Sequence, residues 1–476
     1  MKAPVTWIIV GFVFSRALLY ALGFTFYGSF VHRLWQGIDI ELLKSDLVRS
    51  ILYSHGQPPG FNVITGILAK VFPEKYMLAF QLVNLGMSML TAVLLCLAVE
   101  ALTGKTKIAA LIGALFILNP AVMLYESIYS YTILTIFLIA CLMFTLCKFV
   151  EVGKLFWWST FAWVMGVVVL TRSSYHLAWM ILSIFLIVYF LRDHRWRRML
   201  RAAIIPVLIC VLWYGKNWVW FDSFTSSTWL GMNLARVITP HTALGAVGPF
   251  KALDLYNGMY TPSKKYSEVP LLRERTKAKF GYVNYHHADY VLVSRRFREE
   301  ATTEIVERPE DYLRRVAQGF VIYFSPATHA PFLEKNFAKI DGYAAFINFD
   351  GFGFERFKAL DRRLKDEEAA ISDFMRNNGF SLTGALPPFL LYMICIAFIS
   401  LQCVQNQITA GTRVVCLFSI WIITYGMLVG NFFEFGENNR FRLETSPAFY
   451  LLLGFSMPGA FKLLQNMLLR FKRLKF

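Results

Sequence analysis

The feature that most limits how this chain can fold is its succession of apolar runs. Each approaches the roughly 20 residues that a helix needs to cross about 30 Å of hydrocarbon. They lie near Val5–Tyr27, Tyr76–Leu102, Ile108–Leu124, Thr132–Val150, Leu155–Leu170, Leu177–Leu191, Ala202–Phe221, Leu386–Cys403, Val414–Phe432 and Ala448–Leu464. Of the 476 residues 56% are hydrophobic and 16% aromatic, well beyond the soluble norm. The expectation is an all-α polytopic membrane protein with a bundle of about ten transmembrane helices. No small-residue cleavage site follows the first run, so it is read as a retained span and not a signal peptide.

A net charge of +17 could point to nucleic acid, but its distribution argues otherwise. With the N-terminus inside, the basic residues fall in alternate loops: Lys105 and Lys107, Lys148 and Lys154, RDHRWRRMLR at Arg192–Arg201, Arg413, and the tail RFKRLKF. That is the positive-inside bias, with a secondary attraction to anionic membrane lipids. It predicts cytoplasmic termini, in a bacterial inner membrane or, in a eukaryote, the endoplasmic reticulum, and no nucleic-acid partner. The seven cysteines all lie in or beside apolar runs and read as small buried hydrophobes.

The same topology divides the chain into an N-terminal membrane module (1–221), an external segment (222–382) and C-terminal membrane helices (383–476). Gln57–Phe72 is short and opens with Pro-Pro; counting it as a span would invert every later loop. It is read as an external helix at the interface, within a first external loop of residues 28–75. DIELLKSDLVRSIL in that loop has amphipathic helical spacing. In the external segment, a mixed extramembrane domain, the first part reads as irregular. Tyr290–Phe324 reads as two helices parted at Arg308-Pro309, and Phe354–Met375 as a charged helix. Arg16 sits midway through the first run, where a charge requires snorkelling or a partner inside the bundle.

Four segments, all expected on one face, carry a family resemblance. They are Asp39 followed by ILYSHGQPPGFNVITGIL, LNPAVMLYESIYSYTILTIFL at Leu118–Leu138, YGKNWVWFDSFTSSTWLGMNL at Tyr214–Leu234, and NNRFRLETSP at Asn438–Pro447. In this order they resemble the GT-C superfold of integral-membrane glycosyltransferases, nearest the protein O-mannosyltransferase and aminoarabinose-transferase-like group. The chain departs from that group's pattern: Ile40 separates Asp39 from Glu41, Thr132 stands near the position of an acid, and Lys216 stands where arginine is usual.

The resemblance implies transfer of a sugar from a polyprenyl-phosphate donor to an acceptor hydroxyl on a glycan, lipid or protein, with inversion. A carboxylate would take the acceptor's proton. Cationic groups would steady the departing phosphate. Asp39 is the expected base, with Glu41 and Asp46 as further acids; each also reads as a solvated loop acid or helix cap. His55, Glu126, Arg172, Lys216, Asn217, Arg440 and Arg442 are the expected substrate- and phosphate-binding residues. Arg440 and Arg442 have the planar fork that grips phosphate, with a salt-bridged pair beside Glu437 and Glu444 as the plainer alternative. Glu126 reads equally as a buried partner for Arg172 or Lys216. No metal-ligand spacing or Gly-rich phosphate loop is present, so no cofactor is demanded, and a divalent cation is admissible. A glycan polymerase or ligase and a lipid or glycan transporter are the competing functional readings.

Overall fold

The computed structural model describes residues 3–238, 268–279, 281–348, 382–405 and 407–473. The expected charged helix at Phe354–Met375 lies outside them. Among the described residues the named elements are all helical, and extended pairing is confined to isolated bridges at Tyr27–Ile128 and Thr276–Val283. The described part of residues 222–382 is therefore helical and irregular, without strands, where a mixed extramembrane domain was expected.

The first half of the chain forms α1 (Ala3–Ala21), α2 (Phe30–Arg33), α3 (Ile40–Ser45), α4 (Leu47–Tyr53), α5 (Gly60–Val71) and α6 (Tyr76–Thr103). It continues through α7 (Thr106–Ile117), α8 (Pro120–Glu126), α9 (Tyr131–Val152), α10 (Leu155–Val169), α11 (Leu177–Leu191) and α12 (Trp196–Phe221). Then follow α13 (Leu230–Ile238), α14 (Tyr290–Glu307), α15 (Pro309–Phe324), α16 (Leu382–Val404), α17 (Ala410–Phe432), α18 (Asn438–Glu444) and α19 (Ser446–Arg473), with shorter turns of helix between.

Six of these helices are long and apolar enough to cross a membrane: α1, α6, α9, α12, α16 and α17. Seven qualify if α7 and α8, bent by 54°, make one broken span. The chain is thus a helical membrane protein, with fewer full-length spans than the ten expected. The expected spans at α10 and α11 are helices of only 15 residues each, short of the roughly 20 that a full crossing needs. The run Ala448–Leu464 lies within α19, which continues into the basic tail and is not among the six. Enclosure is greatest for α9, whose apolar window is 72% buried against 28% for α1 and α12, so α9 forms the centre of the bundle.

The α7–α8 break follows from local chemistry. Pro120 cannot continue the hydrogen-bond ladder of α7 and suits the first turn of a new helix. Asn119 caps that helix, its side chain accepting from the amides of Ala121 and Val122. In the first loop, Asp46 likewise splits the expected amphipathic helix into α3 and α4 by capping the second with a bond from Arg49 N. Arg308-Pro309 parts α14 from α15 as expected. Within the stretch read as irregular, α13 is helical and packs so closely on α14 that a Cβ on Gly231 would lie 1.7 Å from Ser294 O.

The loops after α1, α12 and α17 meet at one end of the bundle. Lys277 Nζ donates to the carbonyls of His32 and Leu34 at 3.0 and 2.7 Å. The amide of Thr228 donates to His55 O at 3.0 Å, and Arg442 donates to the carbonyls of Tyr323 and Ser325, each at 2.8 Å.

Candidate functional site

Where these loops meet the membrane helices they enclose a cavity of about 700 Å³, a size typical of ligand sites. One wall is apolar, with Trp179 and Leu182 from α11 and Trp421, Tyr425 and Val429 from α17. The first loop and α13 contribute Trp35, Gln36, Asn233 and Arg236. Arg172 and Arg440 also line the cavity, with Glu434 and Glu437.

Arg172 stands on the turn that follows α10. Gly60 holds that turn: its amide donates to Leu170 O at 2.6 Å, and a Cβ there would lie 2.3 Å from Thr171 Oγ1. The Pro-Pro-Gly sequence thus seats α5 against the backbone beside Arg172. Arg440 stands on α18, a single short helix whose approach turns at Gly436, where φ is +99° and a side chain would be strained. Asn438 Nδ2 closes this turn by donating to Gly430 O and Glu434 O.

Both arginines are largely buried, 5% and 8% exposed. Arg172 Nε donates to Glu444 Oε2 at 3.0 Å. Arg440 Nη1 pairs with Glu437 Oε2 at 2.5 Å, and its Nε stands 3.8 Å from Glu444 Oε1. Both guanidinium carbons lie over the Tyr131 ring, 4.7 and 5.2 Å from its centroid. Arg172 Nη2 and Arg440 Nε, though buried, have no hydrogen-bond partner. Two guanidinium groups lining one cavity, each largely buried, suit an anion. Burial pushes the Glu437 carboxyl up, but Arg440, then Arg236 and Arg172, outweigh it and hold it below its ordinary value.

Of the expected site residues, only Arg172 and Arg440 line the cavity. Asp39 is 6% exposed and does not reach it. Its Oδ1 accepts from Glu41 N at 3.1 Å as the cap of α3, and its Oδ2 accepts from Ala278 N at 2.7 Å. Both oxygens are thus engaged, one in capping α3 and the other in tethering Ala278 to the first loop. Glu41 faces Lys44 at 3.8 Å and Asp46 caps α4, both away from the cavity.

His55 is fully buried. Its Nδ1 accepts from Thr228 Oγ1 at 2.8 Å and its Nε2 donates to His286 O at 3.0 Å, so it pins the loops together. Burial holds it neutral, well below the ordinary histidine range. Lys216 donates to Ser54 O at 2.6 Å and lies over the Trp213 ring, and Asn217 donates to Thr225 O at 2.7 Å. Arg442 points to the end of α15. Glu126 has a partner, but it is neither Arg172 nor Lys216: both its oxygens are held by Arg16, at 2.7 and 2.6 Å.

Sequence reasoning missed Glu437 as a cavity residue, although its i,i+3 spacing to Arg440 was visible. It also missed Trp35, Arg236 and Lys277, which carry no local signal. Among the described residues, no group of three His, Cys, Asp or Glu side chains could hold a metal ion. No family model, curated protein or solved structure matches this chain.

Proposed function

We propose that this chain is a membrane glycosyltransferase of GT-C type, moving a sugar from a polyprenyl-phosphate donor to an acceptor hydroxyl at the external face. The observation that carries the reading is the pair of largely buried arginines beside a carboxylate, in a cavity lined by both apolar and polar side chains. An amphiphile with one anionic junction matches that distribution. The polyprenyl chain lies along α11 and α17, and the phosphate lies against Arg172 and Arg440.

Glu437 takes the role first expected of Asp39. As the acceptor oxygen bonds to the anomeric carbon, its proton passes to Glu437. The bond from that carbon to the phosphate oxygen breaks, and the electron pair leaves with the phosphate, steadied by the two arginines. In the unliganded protein Arg440 keeps Glu437 a weak base. A bound phosphate shares Arg440 and adds negative charge, and both effects raise the carboxylate's proton affinity. The transporter alternative draws on the broken α7–α8 span, since discontinuous helices frame many transport sites.

The test uses purified protein in nanodiscs, radiolabelled polyprenyl-phosphate sugars and a membrane extract supplying acceptors. Transfer should occur with the parent, survive at reduced rate in Asp39→Asn, and disappear in Glu437→Gln. Loss in Asp39→Asn with retention in Glu437→Gln would return the base to Asp39. A parent inactive with every donor, but exchanging lipid-linked sugars between leaflets, would replace the enzyme by the transporter.

A further inference from the structure

A lipid phosphate lies between its chain and its sugar. If the chain follows the apolar wall of α11 and α17 and the phosphate meets Arg172 and Arg440, the sugar must extend to the remaining wall. That wall is built from the first loop and α13, and it is an aromatic surface edged with polar groups. Trp35 lines the cavity there, half-buried. Its indole stacks on Tyr285, with ring centroids 4.5 Å apart and planes 23° apart. Tyr285 is buried and packs in turn on Trp229 and Tyr290. The indole is therefore backed by a rigid aromatic cluster, and what it shows to the cavity is bounded by the Arg236 guanidinium over its ring.

The backbone beside it is equally constrained. Gln36 O accepts from Asn62 Nδ2 at 3.0 Å and from His286 Nε2 at 3.3 Å. Arg236 has its guanidinium carbon 5.9 Å from the Trp35 ring centroid and is held by Glu434 at 2.7 Å. Asn233, one turn earlier on α13, lines the same wall. A preformed aromatic face with planar donors and acceptors at its rim matches the two surfaces of a pyranose. The axial C–H groups pack on the ring, and the equatorial hydroxyls bond at the edge.

We infer that Trp35 is the platform for the donor's sugar ring, with Asn233 and Arg236 addressing its hydroxyls, so that this wall selects which sugar is transferred. The inference rests on the glycosyltransferase reading and deepens it. Arg236, paired with Glu434, leaves this wall able to accept a neutral hexose without an unpaired charge.

The test separates the two ideas by using lipids with and without a sugar. The full-length protein in nanodiscs is titrated with bare polyprenyl phosphate and with polyprenyl phosphates bearing mannose, glucose, galactose or N-acetylglucosamine. In the parent, at least one sugar should tighten binding about tenfold over the bare lipid. Trp35→Ala should lose that gain while binding bare lipid within about twofold of the parent. Trp35→Phe should keep most of the gain, and Arg440→Gln should weaken bare and sugar-bearing lipids alike. Equal weakening of both lipids by Trp35→Ala, or no gain from any sugar in the parent, overturns the platform while leaving the phosphate site intact. Failure of the parent to bind bare polyprenyl phosphate sinks the lipid-donor reading, and the platform with it.

Discussion

Replacing Glu126 with Gln tests whether this acid serves structure or chemistry. Its carboxylate accepts from Arg16 Nε at 2.7 Å and Nη2 at 2.6 Å, and the two side chains are 4% and 5% exposed. Glutamine keeps one acceptor but turns an NH₂ toward the guanidinium, leaving a buried cation with no counter-charge and only neutral acceptors: the amide oxygen, Ile117 O and Ser15 Oγ. Removing one member of a buried ion pair costs about 3–5 kcal/mol, because the partner's desolvation is no longer offset. The double variant Arg16→Met, Glu126→Leu removes both charges. Its remaining loss is Ile117 O without its donor, about 1–3 kcal/mol, set against the desolvation it avoids. It should therefore fall within about 2 kcal/mol of the parent. Equilibrium unfolding in mixed micelles, followed by tryptophan fluorescence, reads both values and their coupling. Transfer activity per folded molecule should be nearly unchanged in the double variant. A Glu126→Gln protein as stable as the parent yet inactive would refute the structural assignment, as would a double variant no more stable than the single one.

Other outcomes follow from the loop layer and the cavity. Burial first, then neighbouring charges, holds His32 down at about 4, His286 at about 3 and His287 at about 4. The unfolded chain takes these protons first, so stability should fall as pH drops from 6.5 toward 4, read as the thermal midpoint across that range. Lys277 acts in a higher window: burial, partly opposed by Asp39, holds it down at about 7 against 10.5. Its contribution makes stability rise from pH 7 to 10.5, and Lys277→Met should remove that slope. Gly231→Ala forces a Cβ into Ser294 O and should destabilise the protein by about 3 kcal/mol in the same unfolding assay. Arg440→Gln should lower kcat about 100-fold, the effect of losing a donor to developing charge; Arg440→Lys, which keeps charge but not the fork, should not restore it fully.

Much of the architecture was legible because it is local. Apolar runs forced helices and Pro309 opened one, since a missing amide acts on its own turn; the break at Pro120 lies inside what reads as a single run, Ile108–Leu124. The short α5 was legible as a separate helix from its length and its Pro-Pro start. Four expected runs are not full-length spans by themselves: the bent α7–α8 pair, α10 and α11, whose helices end after 15 residues, and the run within α19. Asp39 illustrates the opposite limit. An acid after the first span reads as a base, yet what decides its use is the amide of Ala278, contributed 239 positions later.

What the sequence by itself determined is a chain of apolar helices that must lie in a membrane, with Arg16 requiring either snorkelling or a partner and an arginine-bearing turn between the last two apolar runs. Periodicity and the cost of exposing peptide groups to hydrocarbon suffice for that. Only the tertiary structure decided that Arg16 takes Glu126, 110 residues away, and that Arg172 takes Glu444, 272 away. It alone put Glu434 and Glu437, and not Asp39, on the cavity wall, together with Trp35. Buried charges choose partners by distance and desolvation in three dimensions, and neither quantity is written into local sequence spacing.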